Sequence, residues 1–208
     1  MKSRFNNRLN QFKRQCVRGF TLIELVVVVA IVGLLIALVA PNVAGSRDGT
    51  SAALLTRAAQ NISANWSLIA QSCGTSTDVA TSPVPGTAGA ANVVKLLLGG
   101  TNTSNNGIAV GTGFANCYAQ SRVLPISEMA QYDSAWKIGG YALTLSGGGT
   151  SPLSVTFAGV PDSIVTLVAS KFNPSVALAN TADSVAGMVS WTASTTGSRD
   201  LTIIRQIN

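Results

Sequence analysis

The chain has 208 residues, 47% of them apolar, with 14 basic and 8 acidic side chains and no histidine. The absence of histidine excludes Ser-His-Asp and Cys-His catalytic arrangements and the common zinc sites. Lys2, Arg4, Arg8, Lys13, Arg14 and Arg18 carry the whole net charge of +6, leaving 14 − 6 = 8 basic against 8 acidic residues from Phe20 onward. A neutral body offers no electrostatic footprint for nucleic acid, and none is expected as a partner.

The basic segment runs into an apolar one. Residues 20–40 number 21, of which fifteen are Leu, Ile, Val or Phe. As a helix they would extend roughly 31 Å, against about 30 Å for the hydrocarbon core of a bilayer. Each such side chain favours insertion by about 0.3 to 0.6 kcal/mol, and an acidic residue opposes it by about 3 kcal/mol at the helix centre and by less near an end. Insertion therefore wins despite the one carboxylate in the run, Glu24. Basic residues ahead of an apolar span keep that end in the cytoplasm, so the body beyond is exported. Two cleavage readings compete: an ordinary secretory signal cut after the run, near residues 37–40 or 43–45, or a cut before it that keeps the span.

Residues 18–24, RGFTLIE, resemble the type III signal of type IV prepilins and pseudopilins. The resemblance implies a dedicated prepilin peptidase that cuts after Gly19 and methylates the new terminus, Phe20. It also implies an assembly role for Glu24, with Gly33 and Pro41 as helix-weakening positions. The physical counterpart is direct. Glu24 lies about 6 Å along the helix axis from Phe20, where the α-amine of a second copy, offset by one subunit step, would neutralise it. An unpaired buried charge is very costly, whereas a paired and hydrogen-bonded one is tolerated. The alternatives are an acid that snorkels to the headgroups and, for Gly33, a small residue that lets helices pack closely.

The helical pattern resumes beyond Pro41. Leu55, Ala59, Ile62, Trp66, Ile69 and Cys73 recur at steps of three or four, with Arg57, Gln60, Asn61, Asn65 and Gln71 mainly elsewhere, so one long, bent helix is expected over about 21–72. Residues 48–51 are its weak point. A turn-rich linker follows over 74–88, then a short helix over 92–98 ended by Gly99-Gly100, then a polar, glycine-rich loop over 99–113. The GTGFAN stretch at 111–116 lacks the third glycine and the βαβ context of a dinucleotide site. Residues 127–135 are expected to form another short helix, capped by Ser127. From Lys137 the period becomes two: Tyr141, Leu143 and Leu145, a GGG turn at 147–149, then Leu153, Val155 and Phe157 predict a β-hairpin. Helical spacing returns over 161–172, and 184–192 and 200–207 are expected as the last strands. The fold class is α+β, a long helical spine on an antiparallel sheet. The divisions are a cleaved leader 1–19, a transmembrane and assembly helix 20–41, its amphipathic second half 42–73, an αβ-loop region 74–136 and a sheet region 137–208.

The segment SAWKIGGYALTLSGG followed by LSVTFAGVPDSIVTLVASKF is similar to the globular domain of type IVb, conjugative thin-pilus pilins, which have a strand pair and then a helix opened by a VP dipeptide. Two features depart from that pattern: no cysteine follows Cys117, and a mature Phe20 is more typical of type IVa chains. Cys16 would leave with the leader, so Cys73 and Cys117 remain as a pair in an oxidising compartment. They are expected to form a disulfide, with two buried thiols as the alternative. Asp48, Asp78, Glu128, Asp133, Asp162, Asp183 and Asp200 are scattered. They suggest no metal site, although loop aspartates leave a calcium site open. Asn61, Asn65 and Asn102 begin glycosylation sequons of a length that arises often by chance. Trp66, Trp136 and Trp191 are expected in the core, and Arg199 and Arg205 on a solvated face of the terminal strand.

The expectation is a type IV pilus subunit and not an enzyme, without cofactor. Its partners would be like subunits in a helical filament, the prepilin peptidase, the pilus assembly machinery and, before assembly, the bacterial inner membrane. Its final location would be the extracellular pilus. The rivals are a minor pilin or secretion-system pseudopilin, a monomeric membrane-anchored binding protein and a secreted enzyme with an ordinary signal.

Overall fold

The computed structural model describes residues 20–81, 84, 89–121, 123, 126 and 129–207, with the side chains of 39–46 excepted. The chain divides into two compact units at Val43/Ala44. Helix α1, Leu22–Cys73, passes through the division without a break in its secondary structure. From Leu22 to Leu38 its side chains are apolar all round but for Glu24. Residues 48–51, expected as a weak point, are helical. The backbone at Gly33 and Pro41 is helical in the single chain; the loss of helix expected there concerns the filament.

In the second unit α1 buries one face: Ala52, Leu55, Ala58, Ala59, Ile62, Trp66, Ile69 and Ala70 are nearly or fully inaccessible. Steps of three and four place these on one stripe, as amphipathic packing requires. Asn65, expected away from that face, is 1% exposed. An asparagine so placed cannot accept a glycan in the folded chain. Helices α2 (Ala90–Gly99) and α3 (Thr112–Gln120) follow, separated by a 3-10 turn at Thr103–Asn105. Cys73 at the end of α1 is joined to Cys117 in α3 by a disulfide. Tyr118 on α3 donates a hydrogen bond to the Leu96 carbonyl of α2 at 3.2 Å.

Among the described residues seven strands form one sheet: β1 (Ala130–Asp133), β2 (Ala135–Ile138), β3 (Tyr141–Gly148), β4 (Ser151–Pro161), β5 (Asp183–Val185), β6 (Val189–Trp191) and β7 (Ser198–Arg205). Their order is β1-β2-β3-β4-β7-β6-β5, and every pairing is antiparallel. Helix α4 (Asp162–Ser170) lies between β4 and β5 in sequence and opens directly after Pro161. Leu153, Val155 and Phe157 of β4 alternate inward with Leu201 and Ile203 of β7. The architecture is thus α+β, a helix-plus-sheet core as the residue patterns predict.

Four local expectations are corrected. The helix expected over 127–135 is replaced, within the described residues, by the β1/β2 pair, because Tyr132 and Trp136 face each other across the strands with ring centroids 5.4 Å apart. Such aromatic cross-strand pairs favour sheet; Ser127 and Glu128 lie outside the described residues. The loop expected up to residue 113 gives way to α3 at Thr112. Residues 184–192 form two strands and not one, because Ala186 and Gly187 both take positive φ and reverse the chain. Arg199 does not face solvent: β7 sits between β4 and β6, and Arg199 shares the inward side with Leu201 and Ile203 at 2% exposure.

Each nitrogen of that guanidinium donates a hydrogen bond. Its Nε donates to Asp162 Oδ1 at 2.7 Å, one terminal nitrogen to Asp162 Oδ2 at 3.2 Å and the other to the Ala179 carbonyl at 2.9 Å. Ser194 Oγ adds a bond to Asp162 Oδ2 at 2.9 Å. The hydrogen bonds from Arg199, followed by that from Ser194, hold the Asp162 carboxyl below its ordinary range. A depressed folded-state value stabilises the fold above the unfolded aspartate pKa of about 3.9, and the gain is lost as pH falls through the folded value. Arg199→Met should therefore lower the melting temperature at neutral pH and flatten the loss of stability on acidification, as read by circular-dichroism melts between pH 7 and pH 2. The disulfide offers a second test. It spans 44 residues, so Cys73→Ser with Cys117→Ser should cost about 4 kcal/mol by loop-closure entropy, measured by urea unfolding.

Candidate functional site

The start of α1 is a folded site in its own right. Thr21 is the residue before the first helical position and Glu24 the third within the helix. Glu24 Oε2 accepts from the Thr21 backbone N–H at 2.9 Å and from Thr21 Oγ1 at 2.9 Å, and the Glu24 N–H donates to Thr21 Oγ1 at 3.3 Å. This is a reciprocal capping box, which satisfies helix-terminal donors that have no partner within the helix. A carboxylate in the first turn also complements the positive end of the helix dipole. Both bonds from Thr21 fall on Oε2, so the capping geometry leaves Oε1 available as an acceptor.

Around this anion the surface is apolar. Fourteen large apolar side chains between Phe20 and Leu38 are 47% to 82% exposed, with Phe20 the most open. Soluble monomers rarely leave so much contiguous apolar surface uncovered. A methyl group added at Gly33 would meet nothing within 4 Å, so packing within the described chain does not require glycine there. Among the described residues no helix is long and apolar enough to cross a membrane; the run of described side chains in α1 ends at Leu38, short of Val39 and Ala40.

The expected site residues divide as follows. Phe20 and Glu24 lie within one turn at the tip of α1. Gly33 is further along it, and Cys73 and Cys117 are joined in the second unit. Gly19 lies outside the described residues, as does the side chain of Pro41. Thr21 is absent from the expected set, although the T-x-x-E spacing at 21–24 is the recognisable signal of a capping box. No group of three or more metal-ligating side chains occurs among the described residues.

Residues 14–40 match the model of the prokaryotic N-terminal methylation motif. That match indicates a type IV pilin-like or pseudopilin precursor. It spans the end of the basic segment, the Gly19/Phe20 junction, the capping box and the apolar run, and leaves residues 41–208 unmatched. No curated protein and no solved structure matches the chain.

The capping box makes its own prediction. Thr21→Val keeps the size and the backbone N–H but removes the hydroxyl, so amide hydrogen exchange at residues 22–25 should quicken several-fold, while Thr21→Ser should leave it close to wild type.

Proposed function

We propose that the chain is a structural subunit of a type IV pilus. The precursor is cut after Gly19 by the prepilin peptidase and methylated at Phe20. It is held in the inner membrane by residues 20–41 and then polymerised with like subunits by the pilus assembly machinery into an extracellular filament. The observation that carries this reading is the capped carboxylate of Glu24 at the head of an apolar helix exposed on all sides, within the matched motif. Apolar exposure all round a helix calls for lipid or for other helices. A carboxylate within such a segment is by default functional and needs a partner. The methylated amine of Phe20 in another copy, still basic and newly freed, fits Oε1 while Thr21 holds Oε2.

Energetics separate the two states. In lipid, Glu24 lies near one end of the span, where its cost is below the roughly 3 kcal/mol of a central acid. In a helix bundle without an amine partner the same group would be a buried, uncompensated charge, which is strongly disfavoured. Pairing thus rewards only subunits docked one step apart. The lack of histidine removes the Ser-His-Asp and Cys-His routes to catalysis. The body's work is then to clothe the filament.

Two measurements test the reading. Mass spectrometry of the mature N-terminal peptide should find N-methylated Phe20; a terminus at Asn42 or Gly45 would overturn the proposal. Glu24→Ala should leave processing largely intact and reduce filament yield at least tenfold in electron micrographs of sheared cells. Normal filament numbers would rule out the docking role. Abundance in that sheared fraction also separates a major pilin from a minor pilin or pseudopilin, which carries the same motif but is scarce there.

A further inference from the structure

The second unit holds a feature that the filament reading does not use. Between α2 and the β1–β3 edge of the sheet lies a cleft of about 420 Å³. Its apolar wall is made by Val94 of α2 with Leu143 and Leu145 of β3, each at most 6% exposed. Tyr132 and Trp136 form the other wall, their rings set edge to face at 70°. Tyr132 is 43% exposed, so part of that aromatic pair is open to solvent.

Among the described residues the rim carries one charge. Lys95 stands one helical turn beyond Ala91 on the same side of α2, and both line the cleft. Among the described residues Lys95 has no carboxylate within ion-pair distance. The nearby cation Lys137 differs, since Asp133 neutralises it at 2.8 Å. Ser134 and Thr144 add hydroxyls to the lining, and among the described residues no acidic side chain lines it. A space within the usual range for small-molecule sites, walled by apolar and aromatic groups with a few polar ones at the edge, has the make-up of a ligand pocket.

The geometry points to a binding site for a small organic anion with a flat apolar body, an aromatic carboxylate in chemical class. The ring lies against Leu143, Leu145 and Trp136, and the carboxylate meets the Lys95 ammonium at the rim. A neutral sugar is the poorer fit, because the wall offers few hydrogen-bonding groups. A long acyl chain would project beyond the space available. The site is independent of Glu24 and of subunit docking.

The test uses the full chain in phosphatidylcholine nanodiscs, with empty nanodiscs as the blank and 2-naphthoate as the probe. Isothermal titration should show one saturable site per chain, and saturation-transfer NMR should show the naphthalene protons in contact with protein. Lys95→Glu should weaken binding at least tenfold, and Ala91→Trp, which fills the cleft from an exposed position, should abolish it. Both residues are exposed, so melting temperatures should stay near wild type; if one variant unfolds, the other decides. The neutral analogue 2-naphthalenemethanol should bind at least tenfold more weakly than the anion. No saturable binding, equal binding by both variants, or equal affinity for the neutral analogue would each overturn the assignment.

Discussion

A single helix carries two unlike surfaces, and the rest of the molecule follows from that. Over Leu22–Leu38 α1 is apolar on every side but for Glu24, and exposed, whereas from Ala52 to Ala70 it buries one stripe and leaves Arg57 and Gln60 outside. No amphipathic helix can serve the first half, and no uniformly apolar helix can serve the second. The change of pattern falls between Leu38 and Ala52, a stretch that includes the division between the two units at Val43/Ala44. The body needs a core that is complete without the first half, and it has one: among the described residues every buried apolar side chain lies at Ala52 or beyond.

That core is closed by contacts from outside the helix-sheet interface. Trp66 on α1 donates its indole N–H to the Thr77 carbonyl at 2.7 Å, and Thr77 Oγ1 accepts from Gly149 at 3.0 Å. Val79 donates to the Gly147 carbonyl at 3.0 Å. The segment after α1 is thus stitched to the β3/β4 turn. Gly148 has φ +92°, and its missing side chain leaves room for the Thr77 carbonyl. Only glycine tolerates both conditions at once. The disulfide ties the same end of α1 to α3. The Arg199–Asp162 pair performs the corresponding task at the other end of the sequence, joining β7 to the start of α4.

Much of this is legible in the residues. Steps of three and four announce the buried stripe of α1, the alternation over 141–157 announces β3 and β4, and Pro161 marks the start of α4. What escapes the pattern has physical causes. Helix α3 is nine residues long and buries only Phe114, so its periodicity is too weak to see. The β1/β2 pair depends on Tyr132 meeting Trp136 around Ser134, whose φ of +54° is unusual for a non-glycine residue. Arg199 looks like a surface residue until β7 is known to be interior, because an arginine buries only where a carboxylate waits for it. At the candidate site, Glu24 stands out as a lone acid in an apolar run. The role of Thr21 emerges only when the two side chains are seen to share their hydrogen bonds.

The margins of the sheet bear on the crowding that the proposed filament would impose. The terminal strands β1 and β5 are four and three residues long, and each carries an aspartate, Asp133 and Asp183. Exposed strand margins invite main-chain pairing between molecules, and short charged ones resist it. Bodies held side by side at very high local density would otherwise fuse into continuous cross-molecule sheets, an irreversible state. With that route discouraged, lateral cohesion in the proposed filament would be left to the helical spines, and the addition of a subunit would stay reversible.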